Sequence, residues 1–223
     1  MCIYTFSVRL MNIKKRRSPG ISGFVTSMNM IELIKKSRSV RRFDASVPVT
    51  RDTLIGLIDA ARFAPTGANK QPLRFLPVSE KAACDKLFPM LHWAMALPEW
   101  KGPEPNERPA AYIVILADTE IVPEQRVAMD VGIAAQTIAL TAASIDLGCC
   151  MLGAFKKEDL TQCLQLPDTL IPELVLAIGK KGENIRLVDA RKGNDLRYYR
   201  DEKDNHCVPK RTLDELVYDH RFI

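Results

Sequence analysis

Residues 127–147 set the terms for any fold this chain can adopt. From Val127 to Leu147 the sequence is apolar or small on nearly every face of a helix, with Ala134, Ala135, Ala139, Ala142 and Ala143 among its residues. A helix without a broad polar face must be covered on more than one side. The bilayer is not that cover. The richest stretch, Val131 to Ile145, is shorter than the roughly 20 apolar residues a membrane span needs, and Gln136, Thr137, Thr141 and Ser144 interrupt it. The segment therefore reads as a buried helix of a globular protein.

The signals around it mix helix and strand. Asn29 caps a helix from about Met30, with Glu32 at capping-box spacing and Met30, Ile31 and Ile34 as its apolar face. Thr50 caps a second helix, in which Leu54, Leu57, Ile58 and Ala61 share one face. It ends near Ala64, because Pro65 disfavours a helical predecessor. Strands are predicted over 74–78, 111–117 and 174–178, helices over 80–91 and 156–164, and a short strand and turn from Cys149 to Phe155. Thr212 caps a last helix, with Glu215 at capping-box spacing, ending near Tyr218. Residues 97–109 carry four prolines and one glycine and read as a surface loop or lid, and residues 180–205 read as polar and irregular. This order predicts an α+β fold, a central, mainly antiparallel sheet flanked by helices. With no repeat or linker, residues 28–223 are expected to form one domain, and residues 1–27, with their KKRRSPG block, a disordered extension.

The net charge of +5 is unevenly placed: residues 1–42 hold ten Lys/Arg against one acid, Glu32, which leaves the rest of the chain at −4. A nucleic-acid binder spreads its basic residues over a docking face, so neither nucleic acid nor membrane is an expected partner. The six cysteines show no CxxC pairing and no histidine at zinc spacing. Reduced thiols in a cytoplasmic protein are the expectation. Only His92, His206 and His220 are available for acid–base or metal work, and there is no nucleophile elbow, P-loop or GxGxxG after a strand. No catalytic residue is therefore assigned; an enzyme built this way takes its reactive atoms from a cofactor.

Two segments stand out. In KKSRSVRRFDASVPV, residues 35–49, arginines and a serine at a helix end can clamp a phosphate by charge-assisted hydrogen bonds; taken alone they read first as a solvated basic face. In FAPTGANKQPLRF, residues 63–75, turn amides at Thr66 and Gly67 and the side chains of Asn69 and Gln71 offer the donors and acceptors that read a pyrimidine-like edge; taken alone this is a helix-ending loop.

Together they resemble the nitroreductase family of flavoenzymes. The first segment supplies Arg38, Ser39, Arg41, Phe43 and Pro48-Val49 of the family pattern, departing at Ser37, where an arginine is usual. The second matches from Ala64-Pro65-Thr66 through Asn69, Gln71 and Pro72 to Phe75, with Leu73 in place of the usual tryptophan. Asp130–Gln136, Leu147–Ala154, Leu176–Gly179 and Val208–Arg211 continue the resemblance in the family's order, so that it covers residues 28–218.

The resemblance implies an FMN enzyme, fed by NADH or NADPH, that reduces a small-molecule acceptor such as a nitroaromatic or quinone by a ping-pong mechanism. Its flavin would lie at a homodimer interface, with the long helix packed on its twofold mate through those alanines. It implies that Arg38, Ser39, Lys210 and Arg211 hold the FMN phosphate and that Arg41 lies near the phosphate or the flavin pyrimidine. Pro65, Thr66, Gly67, Asn69 and Gln71 would address the ring or ribityl chain, and the backbone at Leu152-Gly153 the flavin N5 edge. Arg42 would face solvent, and Trp100 would sit in a lid. The same fold could instead carry a non-catalytic FMN-binding module or a specialised flavin enzyme such as a reductive dehalogenase.

Overall fold

The computed structural model describes residues 29–94, 96–97, 99–190, 193 and 195–218; the expected extension over 1–27 lies outside them. The chain runs through α1 (Met30–Lys36), β1 (Phe43–Asp44), α2 (Arg51–Ala61), β2 (Leu73–Val78), α3 (Lys81–Leu87), β3 (Ala111–Asp118) and α4 (Ala128–Ser144). It continues with β4 (Leu147–Leu152), α5 (Lys157–Leu164), β5 (Leu170–Lys181), β6 (Ile185–Ala190), β7 (Tyr199–Arg200), β8 (His206–Arg211) and α6 (Leu213–Leu216).

Alternation in β3 explains the layering. All eight of its residues are buried, and successive side chains of a strand point to opposite faces. Ala111, Ile113, Ile115 and Ala117 enter a core with Leu54 and Leu57 of α2 and Ala135 and Ile138 of α4. Tyr112, Val114 and Leu116 enter a second core with Leu87 of α3 and Leu160 of α5. The main sheet runs β1-β5-β3-β2, with β4 also on β5, and every pairing is antiparallel. The expected α+β architecture is the observed one. Thr50 Oγ1 accepts from the Thr53 amide at 3.2 Å, and Asn29 Oδ1 from the Ile31 amide at 2.9 Å. Glu32 does not close the expected box; it meets Lys35 Nζ at 2.9 Å.

Three expectations need correction. Residues 180–205 are not irregular throughout: β6 pairs in parallel with β8, and β7 pairs antiparallel to it, in a second sheet. β6 buries few of its side chains and is held by pairing to a distant strand, which a periodicity search within one segment cannot detect. The alanines of α4 do not form its outer face. Ala134, Ala135, Ala139, Ala142 and Ala143 are buried within the chain, while Met129, Gly132 and Gln136 are exposed and Ile133 and Leu140 half-buried. The apolar face of α1 is also bare, with Met30 60% and Ile31 55% exposed.

Cys84, Cys149, Cys150, Cys163 and Cys207 are all free thiols. Burial pushes Cys84 and Cys150 up to about 11, and the thiolate is the reactive form. In an Ellman titration near neutral pH both should stay silent in the folded protein and react once it is denatured; prompt reaction of either in the native state would contradict this packing.

Candidate functional site

The segment after α1 is extended and tied down on both sides. On one side the Val40 amide donates to the Cys149 carbonyl at 3.0 Å, and the fully buried Val40 side chain lies over Gly148. A Cβ on Gly148 would come within 2.7 Å of Val40 Cγ2, so glycine is what lets the segment lie against β4. On the other side one oxygen of Glu183 accepts from the main-chain amides of both Arg41 and Arg42. Its other oxygen accepts from Arg200 Nη2 at 2.6 Å.

With Val40 turned inward, Arg38, Ser39 and Arg41 line a cavity of about 240 Å³ together with Ser37. β8 forms a facing wall: His206, Val208 and Lys210, two residues apart, share one face of that strand and all line the cavity. Arg211 is exposed and is not part of this lining. Cys149 and Met151 of β4, Gln136 and Ala139 of α4, and Tyr198 complete it.

Within the cavity the cations are differently engaged. Arg38 donates to the carbonyls of Ser37 and Ile34, closing the open end of α1. The Arg41 guanidinium lies 4.3 Å from the centre of the Tyr198 ring and 3.2 Å from His206 Nε2. His206 is fully buried, its ring centre 5.2 Å from that of Tyr198. Burial holds its imidazole below the ordinary range; Glu183 opposes this, and Arg41, Arg200 and Arg42 add to it. Arg42, expected to face solvent, is only 22% exposed: its Nη1 lies 2.7 Å from Asp204 and its Nε 3.5 Å from Glu107.

The second motif builds a separate place. Pro65, Thr66 and Gln71 line a cavity of about 280 Å³ with Asp130 and Ala134 of α4. The Gly67 amide donates to Asp130 Oδ1 at 3.0 Å, and the Gln71 amide to Thr66 Oγ1 at 3.1 Å. Ala68, Asn69 and Gln71 have φ of 49°, 54° and 51°. Asparagine visits this left-handed conformation readily, but Ala and Gln hold it only where their surroundings impose it, and such strain clusters at ligand sites. Asp130 and Ala139 are nine residues apart, which on a helix is half a turn out of phase and about 13 Å along the axis. The two predicted half-sites thus lie on opposite sides of α4.

At the expected reactive edge, the Leu152 side chain is buried in the second core. A Cβ on Gly153 would meet only Leu174 Cδ1, at an ordinary 3.7 Å, so packing within the chain does not demand glycine there. Sequence reasoning missed Gln136, Tyr198, Glu183 and His206. His206 lies two and four residues before Val208 and Lys210, a spacing that puts it on their face only once the segment is known to be a strand.

The nitroreductase family profile matches residues 34–180. A relative from Methanothermobacter thermautotrophicus, which bears a provisional NADH dehydrogenase/NAD(P)H nitroreductase name, is 30% identical over 170 residues, covering 74% of this chain and 83% of its own. An FMN reductase (NADPH) of Bacillus subtilis is 27% identical, over 68% of this chain and 65% of its own. Among solved structures, a nitroreductase family protein of Clostridium difficile 630 superposes with a TM-score of 0.58 at 26% identity, covering 70% of this chain and 86% of the other. An Exiguobacterium sibiricum structure in complex with FMN shares the fold, at a TM-score of 0.58 and 18% identity over 71% and 91% of the two chains. A profile spanning residues 34–180, from the basic segment through β5, identifies the chain as a member of the nitroreductase family.

Proposed function

We propose that this protein is an FMN-dependent oxidoreductase that takes electrons from NADH or NADPH and delivers them to a nitroaromatic, quinone or similar conjugated acceptor, the nicotinamide leaving before the acceptor enters. The observation that carries this reading is the cavity in which Arg38, Ser39 and Arg41 meet Lys210 from the distant β8. Cationic and hydroxyl donors on facing walls suit a phosphate dianion, so the residues present fit the FMN phosphate. The name of the B. subtilis relative and the complex of the E. sibiricum protein support the choice of flavin and donor. When bound, FMN supplies the hydride-accepting and hydride-donating ring; the chain binds and orients it.

In this reading Ser39, Arg38 and Lys210 hold the phosphate, and Arg41 offsets negative charge on the reduced ring or the phosphate. The strained loop with Pro65, Thr66, Gly67, Asn69 and Gln71 addresses the ring or ribityl chain, and the Leu152-Gly153 backbone borders the reacting edge. Arg211, exposed and outside the cavity lining, is left with a peripheral role. Because the loop and the phosphate cavity flank α4 from opposite sides, we infer that each flavin uses the basic cavity of one subunit and the loop of its twofold mate. The outward stripe Met129, Gly132, Ile133, Gln136 and Leu140 would form the seam, with bare α1 beside it. Residues 28–223 act as one domain here, in a cytoplasmic protein.

The purified protein should be yellow, or take up FMN, and its flavin absorbance should bleach anaerobically with NADH or NADPH and return on adding a quinone or nitroaromatic. A colourless protein that takes up no FMN would refute the proposal. Ile133→Glu should halve the mass measured by light scattering and weaken FMN binding at least about tenfold, because a carboxylate at an apolar seam is not desolvated without a partner. A dimer unaffected by this change would place the interface elsewhere.

A further inference from the structure

Resting on the reading of the basic cavity as the flavin site, we propose that His206 is a positioning residue: its Nε2 accepts a hydrogen bond from Arg41 and fixes that guanidinium in the cavity, so that FMN affinity depends on a neutral imidazole.

A guanidinium only donates and keeps its proton at any working pH. The 3.2 Å approach of Arg41 Nη1 to His206 Nε2 is therefore a hydrogen bond only if Nε2 carries a lone pair and the ring proton sits on Nδ1. Among the described residues Nδ1 has no hydrogen-bond partner, so no competing contact selects the other tautomer. Tyr198 closes the arrangement, with the Arg41 guanidinium 4.3 Å from its ring centre and the His206 ring 5.2 Å away. The backbone of Arg41 is held independently by Glu183, so losing the imidazole contact frees the side chain while the segment stays in place.

The charges facing His206 come from several elements. Glu183 lies just before β6, Arg41 and Arg42 on the basic segment, and Arg200 on β7. Glu183 is committed to Arg200 and two amides, and Asp204 to Arg42 and Arg200. The Cys150 thiol of β4, close to Arg41 and Glu183, is pushed up to about 11 and stays neutral. A proton on His206 would set two cations 3.2 Å apart with the nearby carboxylates already engaged. Burial and the three arginines outweigh Glu183 and hold the imidazole below its ordinary range. Arg41 is thus held at neutral pH and released as the solution becomes acidic.

The test is the dissociation constant for FMN and for riboflavin, read by flavin fluorescence from about pH 8 down to the lowest pH at which each protein keeps its far-UV circular dichroism, in wild type, His206→Gln and His206→Leu. Glutamine can accept from Arg41 through Oε1 and does not titrate. Wild-type affinity should fall about tenfold or more on the acid side, a charge-assisted hydrogen bond being at stake. His206→Gln should lack that loss, and His206→Leu should be weak throughout. Any titration of the FMN phosphate itself is common to all three proteins and absent with riboflavin, whose behaviour also tells whether Arg41 meets the phosphate or the ring.

Parallel pH curves for wild type and His206→Gln would overturn the role of His206 while leaving the flavin site standing. Failure of wild type to bind FMN at any pH would overturn the functional reading and this role with it. Nitrogen NMR of the flavin-free protein checks the contact without either variant of His206. Nε2 should be the unprotonated nitrogen, and Arg41→Met should raise the titration midpoint of the ring. No shift in Arg41→Met would overturn the contact.

Discussion

Replacing Gly182 with alanine should destabilise the protein by about 3 kcal/mol or more and take FMN binding with it. The new Cβ would lie 2.6 Å from the carbonyl carbon of Phe43, 2.7 Å from its oxygen and 3.1 Å from the Asp44 nitrogen. All three are backbone atoms, so no side-chain rotation relieves the contact. The Gly182 amide also donates to the Arg42 carbonyl at 2.9 Å, and the strands on either side are in register at Phe43 and Lys181. Relief requires β1 to leave β5, which uncovers the fully buried Phe43 and pulls Glu183 off the amides of Arg41 and Arg42. Gly148→Ala meets only the Val40 side chain, and a loss of about 1–3 kcal/mol is expected there. Gly67→Ala meets nothing within 4 Å and should change stability by less than about 0.5 kcal/mol. Urea unfolding followed by far-UV circular dichroism ranks the three; a Gly182→Ala midpoint equal to that of Gly67→Ala would show that β1 is not held as described.

The contrast among these glycines shows what a single sequence can and cannot reveal. Elements whose cause is local were legible. Thr50 and the face of Leu54, Leu57 and Ala61 define α2, and the apolar run of β3 is buried as expected. The halves of the candidate site were legible as motifs, because phosphate donors and a turn-rich loop each need particular residue types within a few positions. What joins them was not. Glu183 looks like any surface carboxylate until two amides from residues 41 and 42 are brought to it. His206, in a polar stretch, gives no sign that it is fully buried against Tyr198. The parallel pairing of β6 with β8, which sets His206 into the cavity wall and brings Glu183 beside the segment that borders it, is a relation between segments and leaves little trace in either. The alanines of α4 misled for the same reason. Small residues permit close approach, but which surface approaches depends on the rest of the fold, and here the sheet and α2 claim them.

Lys210→Met should weaken FMN binding about 10- to 100-fold and leave riboflavin binding within about threefold, the loss expected for one charge-assisted contact to a phosphate. The neighbouring Arg211→Met, with the same change in charge, should cost less than about threefold with either ligand. Strand geometry alone separates the two. Lys210 shares its face of β8 with His206 and Val208 and lines the cavity, while Arg211, exposed as Lys210 also is, points to the other side of the strand and is absent from that wall. If net charge near the cavity governed affinity, the two variants would behave alike, and both losses would shrink together as salt is raised. If position governs, the Lys210 effect persists and remains specific to the phosphate-bearing ligand. β8 pairs with β6 in the register Lys210↔Asp189 and Arg211↔Ala190, and a one-residue slip would exchange the faces of the two side chains. A larger loss in Arg211→Met than in Lys210→Met would therefore mean that β8 binds flavin in a different register, and the wall facing Ser39 and Arg41 would have to be rebuilt around that residue.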